Sequence, residues 1–296
     1  MATLVVIGLG YSATRAVEEV APRFDRIVVT VRDPARAAGL NASGVGSVAV
    51  EALAFDGTAA SDRLAAALHG ADALLVSAPP AADGADPLLA CHRTDLDAAR
   101  RLAWVGYLST VGVYGDAGGG WVDETSPCRP VSPRSAARLA VEGAWAGFGA
   151  VRGVPVVMMR LSGIYGPGQN ALEQVRSGTA KRIVKPGQVF NRIHVDDIAG
   201  AVAASLARPD VTGPLNVTDD EPAPPQDVTA FAAELLGVPP PPEQDWEAAW
   251  PTLSPMARSF WGESKRVKNA RLRRDLGYPL RHPTYREGLR ALLAAG

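Results

Sequence analysis

A short apolar segment near the start of the chain runs directly into a glycine-rich turn and then into a helical pattern. Leu4–Ile7 has the composition of a buried strand, and Gly8-Leu9-Gly10-Tyr11-Ser12-Ala13 follows without a spacer. Gly8 permits the tight turn, Gly10 leaves its backbone open to a close ligand, and Ala13 allows close packing of helix on strand. Such a turn opens a β–α–β series, because parallel neighbouring strands need a helical crossover. The motif therefore favours folds in which helices cover a parallel sheet.

The alternation of strand and helix patterns continues to about residue 160. Runs rich in β-branched residues alternate with Ala/Leu/Arg stretches of helical period, which is the pattern of a doubly wound sheet. Strands are predicted near Leu4–Ile7, Arg26–Val31, Ser47–Ala52, Ala73–Ser77, Trp104–Ser109 and Pro155–Arg160. Helices are predicted near Ala13–Val20, Ala59–Leu68, Pro87–Arg101 and Pro133–Trp145.

Beyond Gly163 the loops lengthen and become richer in proline and glycine. Two sheet-like pieces still occur, Val189–His194 and Pro214–Val217, with a helical pattern over Asp197–Leu206 between them. We therefore predict an α/β fold, with a Rossmann-type doubly wound parallel sheet in residues 1–163. A smaller C-terminal substrate lobe is predicted in residues 164–296, with residues 189–217 returning to the sheet.

Composition excludes several other classes of protein. The 30 Lys+Arg residues balance 31 Asp+Glu residues, so the basic excess typical of nucleic-acid or membrane-surface proteins is absent. Two cysteines, Cys91 and Cys128, can form neither a disulfide framework nor a metal cluster, and they suggest a reducing compartment. The four histidines share no ligand spacing, so no metal site is predicted. With no basic leader and no apolar stretch of about 18 residues, we predict a cytoplasmic protein with a small-molecule partner.

The glycine motif stands where a dinucleotide-binding fingerprint is expected. In such sites the N-terminus of the first helix binds the pyrophosphate, and the second strand ends near the adenine ribose. A carboxylate there suits the 2′-hydroxyl of NAD, whereas an arginine suits the 2′-phosphate of NADP. The predicted strand Arg26–Val31 is followed by Arg32, so we predict NADP over NAD. The alternative is a solvated Arg32, with Asp33 serving NAD.

Other residues complete the predicted cofactor site. Tyr11 and Ser12 belong to the glycine turn, and Ser77-Ala78-Pro79 closes the fourth strand with small residues that suit a chain passing over pyrophosphate and ribose. Asp56 follows the third strand region, where it could accept a hydrogen bond from the adenine amine. It could equally stand at the start of the next helix, and the sequence leaves both roles open.

Four further segments carry a family resemblance that spans nearly the whole chain. In chain order they are Leu108–Gly115, Met159–Pro167, Arg192–Ile198 and Arg274–Tyr278. They resemble motifs of the extended, atypical short-chain dehydrogenases/reductases of the NAD-dependent epimerase/dehydratase family. The G-x-G-Y opening and the Ala-Pro-Pro after the fourth strand are most similar to the YeeZ-like subgroup. The resemblance implies nicotinamide-cofactor binding and an oxidoreductase or epimerase/dehydratase activity.

The resemblance also identifies departures at the catalytic positions. Active members of the family use a Ser or Thr, a Tyr, and a Lys four residues after the Tyr; these positions fall on Thr110, Arg134 and Arg138. A guanidinium keeps its proton to above about pH 12, so an arginine cannot replace the tyrosine as acid or base. Arg138 could still bind the nicotinamide ribose, and Tyr165, His194 or water are the remaining proton sources. In the family His194 mostly braces the helix that follows it.

These departures leave two hypotheses. The first is an NADP-dependent oxidoreductase or epimerase-like enzyme for a small metabolite, with Arg134 orienting the substrate. An anionic substrate would suit Arg134 and the basic excess over residues 258–286, although that excess could also be a solvated helical face. Gly163 stands where the family often has an Asn that contacts nucleotide sugars, so no such substrate is predicted. The second hypothesis is a catalytically silent NADP(H)-binding sensor. The sequence does not define the oligomeric state.

Overall fold

A computed structural model describes residues 1–296 of the protein. Its strands form one large sheet and three separate pairs. They are β1 (Thr3–Ile7), β2 (Arg26–Val31), β3 (Glu51–Ala54), β4 (Ala73–Val76), β5 (Trp104–Thr110), β6 (Trp121–Val122), β7 (Val156–Leu161), β8 (Gly163–Tyr165), β9 (Arg182–Val184), β10 (Arg192–His194), β11 (Gly213–Val217), β12 (Glu243–Asp245) and β13 (Arg266–Val267). Seven of them make a parallel sheet in the order β11-β7-β5-β4-β1-β2-β3. The pairs are β10–β8, β12–β9 and β13–β6.

Helices cover both faces of the large sheet. They are α1 (Tyr11–Val20), α2 (Pro34–Ser43), α3 (Asp62–His69), α4 (Pro87–Ala98), α5 (Pro133–Arg152), α6 (Ala171–Arg176), α7 (Val195–Ala207), α8 (Pro225–Leu235), α9 (Trp246–Ala249), α10 (Pro255–Trp261), α11 (Ala270–Arg274) and α12 (Tyr285–Ala295). Side chains of α1, α2 and α7 share one apolar core, and those of α3, α4 and α5 share the other. None of these helices is both long and apolar enough to cross a membrane.

The first strand shows why the sheet needs helices on both faces. Leu4 and Val6 point into the core formed with α1 and α7, while Val5 and Ile7 point into the core formed with α3 and α4. Successive strand residues face opposite sides, so a run of four apolar residues must be covered twice. The arrangement confirms the predicted doubly wound α/β fold.

Several element boundaries differ from the predicted ones. The third strand begins at Glu51 rather than Ser47, because Val45 and Val48 pair with each other in a tight turn. Helix α2 was not predicted, although Asp33 caps it and Pro34 occupies its first turn, both of which are ordinary start signals. Helix α5 continues to Arg152 and ends at Gly153, whose φ of +66° is in the left-handed region.

The C-terminal part of the chain divides between the large sheet and a smaller lobe. Within residues 189–217, β11 forms an edge strand of the sheet and α7 packs against α1, whereas β10 pairs with β8 outside it. The lobe has its own apolar core, to which α6, α8 and α12 contribute. The carboxyl ends of the sheet strands face the β8–β10 side of this lobe, where Tyr11 of α1 donates a hydrogen bond to the Pro167 carbonyl (3.0 Å).

A buried ion pair lies beneath the carboxyl ends of β5 and β7. Arg160 of β7 binds Glu142 of α5 through Nη2 and Nε, with a shortest distance of 2.7 Å. Ser109 donates to the same carboxylate (2.5 Å), and Arg160 also donates to the Tyr114 hydroxyl (3.0 Å). The Tyr114 hydroxyl in turn donates to Asn216 of β11 (2.7 Å). The network joins α5 to three strands and therefore fixes the end of β5, where Thr110 lies.

Removal of one charge from this pair should destabilise the fold severely. We expect Glu142→Gln to lower the free energy of unfolding by about 3–5 kcal/mol, because the Arg160 guanidinium would remain buried without its counter-charge. Urea denaturation followed by circular dichroism measures the change. Glu173→Gln, which breaks the exposed Arg176 pair, is the control and should cost below about 1 kcal/mol. A Glu142→Gln loss as small as the control's would refute this account of the network.

Candidate cofactor and active site

The glycine turn after β1 has the geometry that a bound pyrophosphate requires. Gly8 has a φ of +84°, and a Cβ there would lie 2.9 Å from the Ala78 amide nitrogen. A Cβ at Gly10 would meet nothing within 4 Å, so the space above this residue is open. Ala13 is fully buried against the sheet. The three small residues therefore have the separate roles that the motif predicts: a sharp turn, an open approach and close packing.

The N-terminus of α1 presents free hydrogen-bond donors to this open space. Gly10 is its N-cap residue and supplies no side-chain cap, and the amides of Tyr11, Ser12 and Ala13 donate to no protein group. Free amides together with the positive end of the helix dipole are suited to a phosphate. The Ser77 and Ala78 amides donate to the Ile7 carbonyl, which holds the chain from Ser77 to Pro79 beside the turn. The residues present thus fit a dinucleotide.

A cavity of about 320 Å³ lies between the ends of β2 and β3, on the side of the sheet where the adenosine half of a dinucleotide binds. Arg32, Phe55 and Asp56 line it. The Arg32 guanidinium is exposed and has no hydrogen-bond or ion-pair partner, so its charge is free for a ligand. The apolar Phe55 ring and the guanidinium together suit an adenine and an adjoining phosphate.

The two acidic residues near this cavity have structural partners. Asp33 caps α2 by accepting a hydrogen bond from the Ala35 amide (2.9 Å). Asp56 accepts from the amide and hydroxyl of Thr58 (2.9 and 2.7 Å), which lowers the pKa of its carboxyl. Asp56 does not begin the next helix, because Ser61 is the cap residue of α3. The capping alternative for Asp56 is therefore wrong, and its possible contact with adenine stays a prediction.

Sequence reasoning missed a residue that supports the glycine turn. Arg36 of α2 donates to the Leu9 carbonyl (2.8 Å), and Leu9 lies between the two glycines of the motif. The contact was invisible because α2 itself was not predicted. The cap signal at Asp33 and Pro34 could have revealed the helix and placed Arg36 one turn into it.

Thr110 stands at the carboxyl end of β5, on the other side of the glycine turn from Arg32. Its Oγ1 accepts the Gly112 amide (3.1 Å), so the hydroxyl hydrogen remains free to donate to a ligand. A Cβ at Gly112 would lie 2.7 Å from Ser135 Oγ and 3.3 Å from Thr110 Oγ1, so these two hydroxyls flank the same glycine. The start of α5 therefore packs directly against the Thr110 turn.

The two arginines predicted to stand at the family's Tyr and Lys positions differ in environment. Arg134 is exposed in the first turn of α5 and has no hydrogen-bond or ion-pair partner. Arg138, one turn later, is only 9% exposed, and its Nη1 donates to the Leu108 carbonyl (2.7 Å) and the Tyr107 hydroxyl (3.1 Å). The fold thus brings Thr110, Arg134 and Arg138 to one end of the sheet, with Arg134 free to bind a ligand.

Neither Tyr165 nor His194 is arranged to supply a proton. The Tyr165 hydroxyl points to the Thr284 carbonyl (3.5 Å), and burial raises the pKa of Tyr165 far above its ordinary value. His194 caps α7 by accepting the Asp196 amide at Nδ1 (3.1 Å), and burial lowers the pKa of His194 to about 4. At neutral pH the phenol keeps its proton. The imidazole is uncharged, and its one N–H lies at the buried Nε2 atom, which contacts no hydrogen-bond partner.

His194 also belongs to a cluster that the sequence analysis did not foresee. Ligand-type atoms of His194, Asp196 and His282 all lie within 4.8 Å of one another, and the two imidazole rings are 4.0 Å apart. The His194 Nδ1 lone pair already accepts a backbone amide, and Arg15 binds the Asp196 carboxylate at 2.8 Å. These contacts compete with metal coordination, and the cluster instead joins α1 and α7 to the C-terminal segment.

The basic residues of segment 258–286 are mostly engaged within the protein. Arg271, Arg273 and Arg281 pair with carboxylates of Asp275, Asp220 and Glu19, and Lys265 is buried against Glu263. Most of the positive charge of this segment is therefore neutralised by carboxylates of the protein itself. Arg134 is the better candidate for contact with an anionic ligand.

The buried state of His194 predicts a pH-dependent stability. Its pKa is about 4 in the folded protein and about 6.5 in an unfolded chain, so acid favours unfolding. The stability that depends on the neutral imidazole is complete above about pH 6.5 and is lost as pH falls toward 4, by roughly 3 kcal/mol in total. Urea unfolding at several pH values measures it. His194→Asn can still cap α7, and it should reduce the loss of unfolding free energy between about pH 6.5 and pH 4. If this variant lost as much stability in acid as the unaltered protein does, the assignment to His194 would be contradicted.

Comparisons with known proteins agree with this geometry. The family described as the NAD dependent epimerase/dehydratase family matches residues 82–217. The solved structure of a functionally unknown conserved protein from Silicibacter pomeroyi DSS is 46% identical, with a TM-score of 0.86, and the match covers 100% of this chain and 99% of that one. The Protein YeeZ of Escherichia coli (strain K12) is 28% identical over 223 residues, or 73% of this chain and 74% of YeeZ.

A third relative has a named activity. The 3-diazoavenalumate denitrifying reductase of a Streptomyces species is 33% identical over 141 residues, and the match spans 45% of this chain and 45% of that protein. The family and its reductase relative support an NAD(P)-dependent oxidoreductase-like function. By its motifs, its fold and these similarities, the chain carries an NAD-dependent epimerase/dehydratase family domain over residues 82–217 and is a homologue of YeeZ.

Proposed function

We propose that the protein is an NADP(H)-dependent reductase of a small anionic metabolite. In this proposal Arg134 stabilises negative charge on the substrate, and water supplies the proton. The observation that carries the proposal is the exposed, partner-free Arg134 guanidinium in the first turn of α5, where the next residue, Ser135, flanks Gly112 together with Thr110. When bound, the nicotinamide cofactor supplies a hydride; the residues of this chain hold the cofactor, orient the acceptor and stabilise the charge that forms.

The preference for NADP rests on the cavity beside Arg32. A free guanidinium there can pair with a 2′-phosphate, and the nearby Asp33 carboxylate already caps α2. One oxygen of the Asp33 carboxylate is engaged in this cap, so only the other could accept a hydrogen bond from the 2′-hydroxyl of NAD. Free α1 amides would hold the pyrophosphate in either case, so Arg32 is the residue that distinguishes the two cofactors.

Arg134 and Thr110 would act on the substrate without transferring a proton from a protein acid. Hydride addition to a carbonyl carbon breaks the C=O π bond and leaves the electron pair on oxygen. The guanidinium and the Thr110 hydroxyl can both donate hydrogen bonds to that oxyanion, which lowers the barrier electrostatically. Water then protonates the oxygen and leaves hydroxide. Tyr165 and His194 are excluded from this step by their buried contacts.

Reduction is favoured over epimerisation for the same reason. An epimerase must remove and return a proton in each cycle, which requires a group that titrates near neutral pH. Neither arginine can do this. The Streptomyces relative, which is named as a reductase, also favours reduction. A silent NADP(H)-binding sensor is the second candidate, favoured by the loss of both the Tyr and the Lys; it predicts cofactor binding without turnover.

Substitution of Arg32 should alter the choice of cofactor. We expect Arg32→Gln to weaken NADPH binding by at least about tenfold, since a bidentate charged contact would be lost, with little effect on NADH. Fluorescence titration of each reduced cofactor into the purified protein measures both affinities. Arg93→Gln removes an exposed charge that pairs with Asp97 on α4 and should change neither. Equal affinities of the unaltered protein for NADPH and NADH would refute the assignment of Arg32.

Substitution of Arg134 should affect the chemical step. We expect Arg134→Gln to slow single-turnover oxidation of bound NADPH by about 10²–10³-fold, as for other oxyanion donors, while NADPH affinity changes little. The unaltered protein should show a flat rate between about pH 6 and pH 9, because no protein acid is used. A panel of 2-oxo acids, aldehydes and quinones with carboxylate groups provides the acceptors. If NADPH binds and no acceptor is reduced, the sensor function is correct instead.

A further inference from the structure

The start of α5 carries two arginines that form no ion pair. Neither Arg134 nor Arg138 has a carboxylate oxygen within 4.0 Å, whereas the buried Arg160 lies 2.7 Å from Glu142. Arg138 is nearly buried, and its guanidinium lies 5.5 Å from the centre of the Tyr107 ring. The helix dipole disfavours cations in a first turn, so helix stability does not account for Arg134.

The nearest acidic groups form no ion pair with either arginine, although the Arg138 charge acts on Asp86 and opposes the rise of its pKa. Asp86 accepts hydrogen bonds from the Leu88 and Leu89 amides and from Trp145 Nε1, and burial raises the pKa of its carboxyl. Glu142 is already paired with Arg160. The first two turns of α5 therefore hold two positive charges without a direct ion pair: Arg134 lies in solvent, and the nearly buried Arg138 feels the Asp86 carboxylate only from beyond ion-pair distance.

The topology places this charge on the nicotinamide side of the cofactor site. A dinucleotide spans the point where the strand order reverses, with its pyrophosphate at the first helix. Here β2 and β3, with Arg32, lie on one side of β1, and β4 and β5 lie on the other. With the adenosine half at Arg32, the nicotinamide half extends over the ends of β4 and β5, where α5 begins. The oxidised nicotinamide ring carries a positive charge and the reduced ring carries none.

We propose that Arg134 and Arg138 make the protein bind the reduced cofactor more tightly than the oxidised one, so that it rests loaded with NADPH and releases NADP⁺. The inference rests on the proposed function, because it requires NADP(H) at this site. It deepens that function, because an anionic substrate would offset the Arg134 charge and so favour hydride transfer only when substrate is present. The 2′-phosphate is common to both redox states, so Arg32 does not contribute to the difference.

The size of the effect can be bounded from charge alone. A tenfold difference in affinity corresponds to about 1.4 kcal/mol. Like charges several ångströms apart exceed that value at an effective dielectric constant of about 20. We therefore expect the dissociation constant of NADP⁺ to be at least about tenfold that of NADPH at low salt.

The test is calorimetric titration of the full chain with NADPH and, separately, with NADP⁺. Arg134→Gln should reduce the affinity ratio several-fold by tightening NADP⁺, while NADPH affinity stays nearly constant. Arg138→Gln should also lower the ratio, and Arg138→Lys, which keeps the charge, should preserve it. Arg134 lies on the surface, so its variant remains informative if substitution of the buried Arg138 impairs folding. The part of the affinity ratio that depends on Arg134 should disappear at about 0.5 M salt, because salt screens exposed charges.

A matched control separates this local effect from overall charge. Arg176→Gln removes the same charge from the exposed end of α6 and should leave the ratio unchanged. Equal binding of NADPH and NADP⁺ by the unaltered protein, or a ratio that Arg134→Gln leaves unchanged at low salt, would overturn the inference and leave the reductase proposal standing. Failure of both cofactors to bind would overturn the proposed function and this inference together.

Discussion

The ion pair between Glu142 and Arg160 connects the architecture to the site. A buried charge needs a partner at close range, so α5 and β7 cannot separate without a large loss of free energy. Ser109 is held by the same carboxylate, and Thr110 follows it directly. The position of the candidate active site is thus set by electrostatics in the interior below it, while Arg134 at the start of α5 remains free of partners.

The fold was largely predictable from sequence because its strands are covered on both faces. Four consecutive apolar residues before the glycine turn, repeated along the chain, leave few alternatives to a doubly wound sheet. Helix α2 was missed because its Ala/Gly-rich sequence has little apolar periodicity and only one buried residue, Ala37. The third strand was misplaced because Val45 and Val48, which read as strand residues, close a turn. Short-range pairing of this kind has no signature in hydrophobic pattern.

The sequence predicted which residues form the candidate site, but it did not predict which protein groups those residues contact. Gly8 and Gly10 have the conformation and the open space that their motif implies. Whether an arginine is free or engaged depends on contacts distant in sequence: Arg36 holds Leu9, Arg138 holds Leu108, and Arg134 holds nothing. For this reason the basic segment 258–286 suggested a ligand site more strongly than the folded chain does.

One contact between the two parts of the chain has a consequence for how the sequence can vary. The Tyr11 hydroxyl reaches the Pro167 carbonyl only because residue 166 is glycine; a Cβ at Gly166 would lie 2.5 Å from that hydroxyl. A Cβ at residue 166 would also lie 2.7 Å from Val195 Cγ1, so loss of the tyrosine alone would not leave room for a side chain there. Residue 166 is therefore expected to remain glycine among relatives even where residue 11 is not tyrosine, because the start of α7 packs against it as well as the cofactor turn.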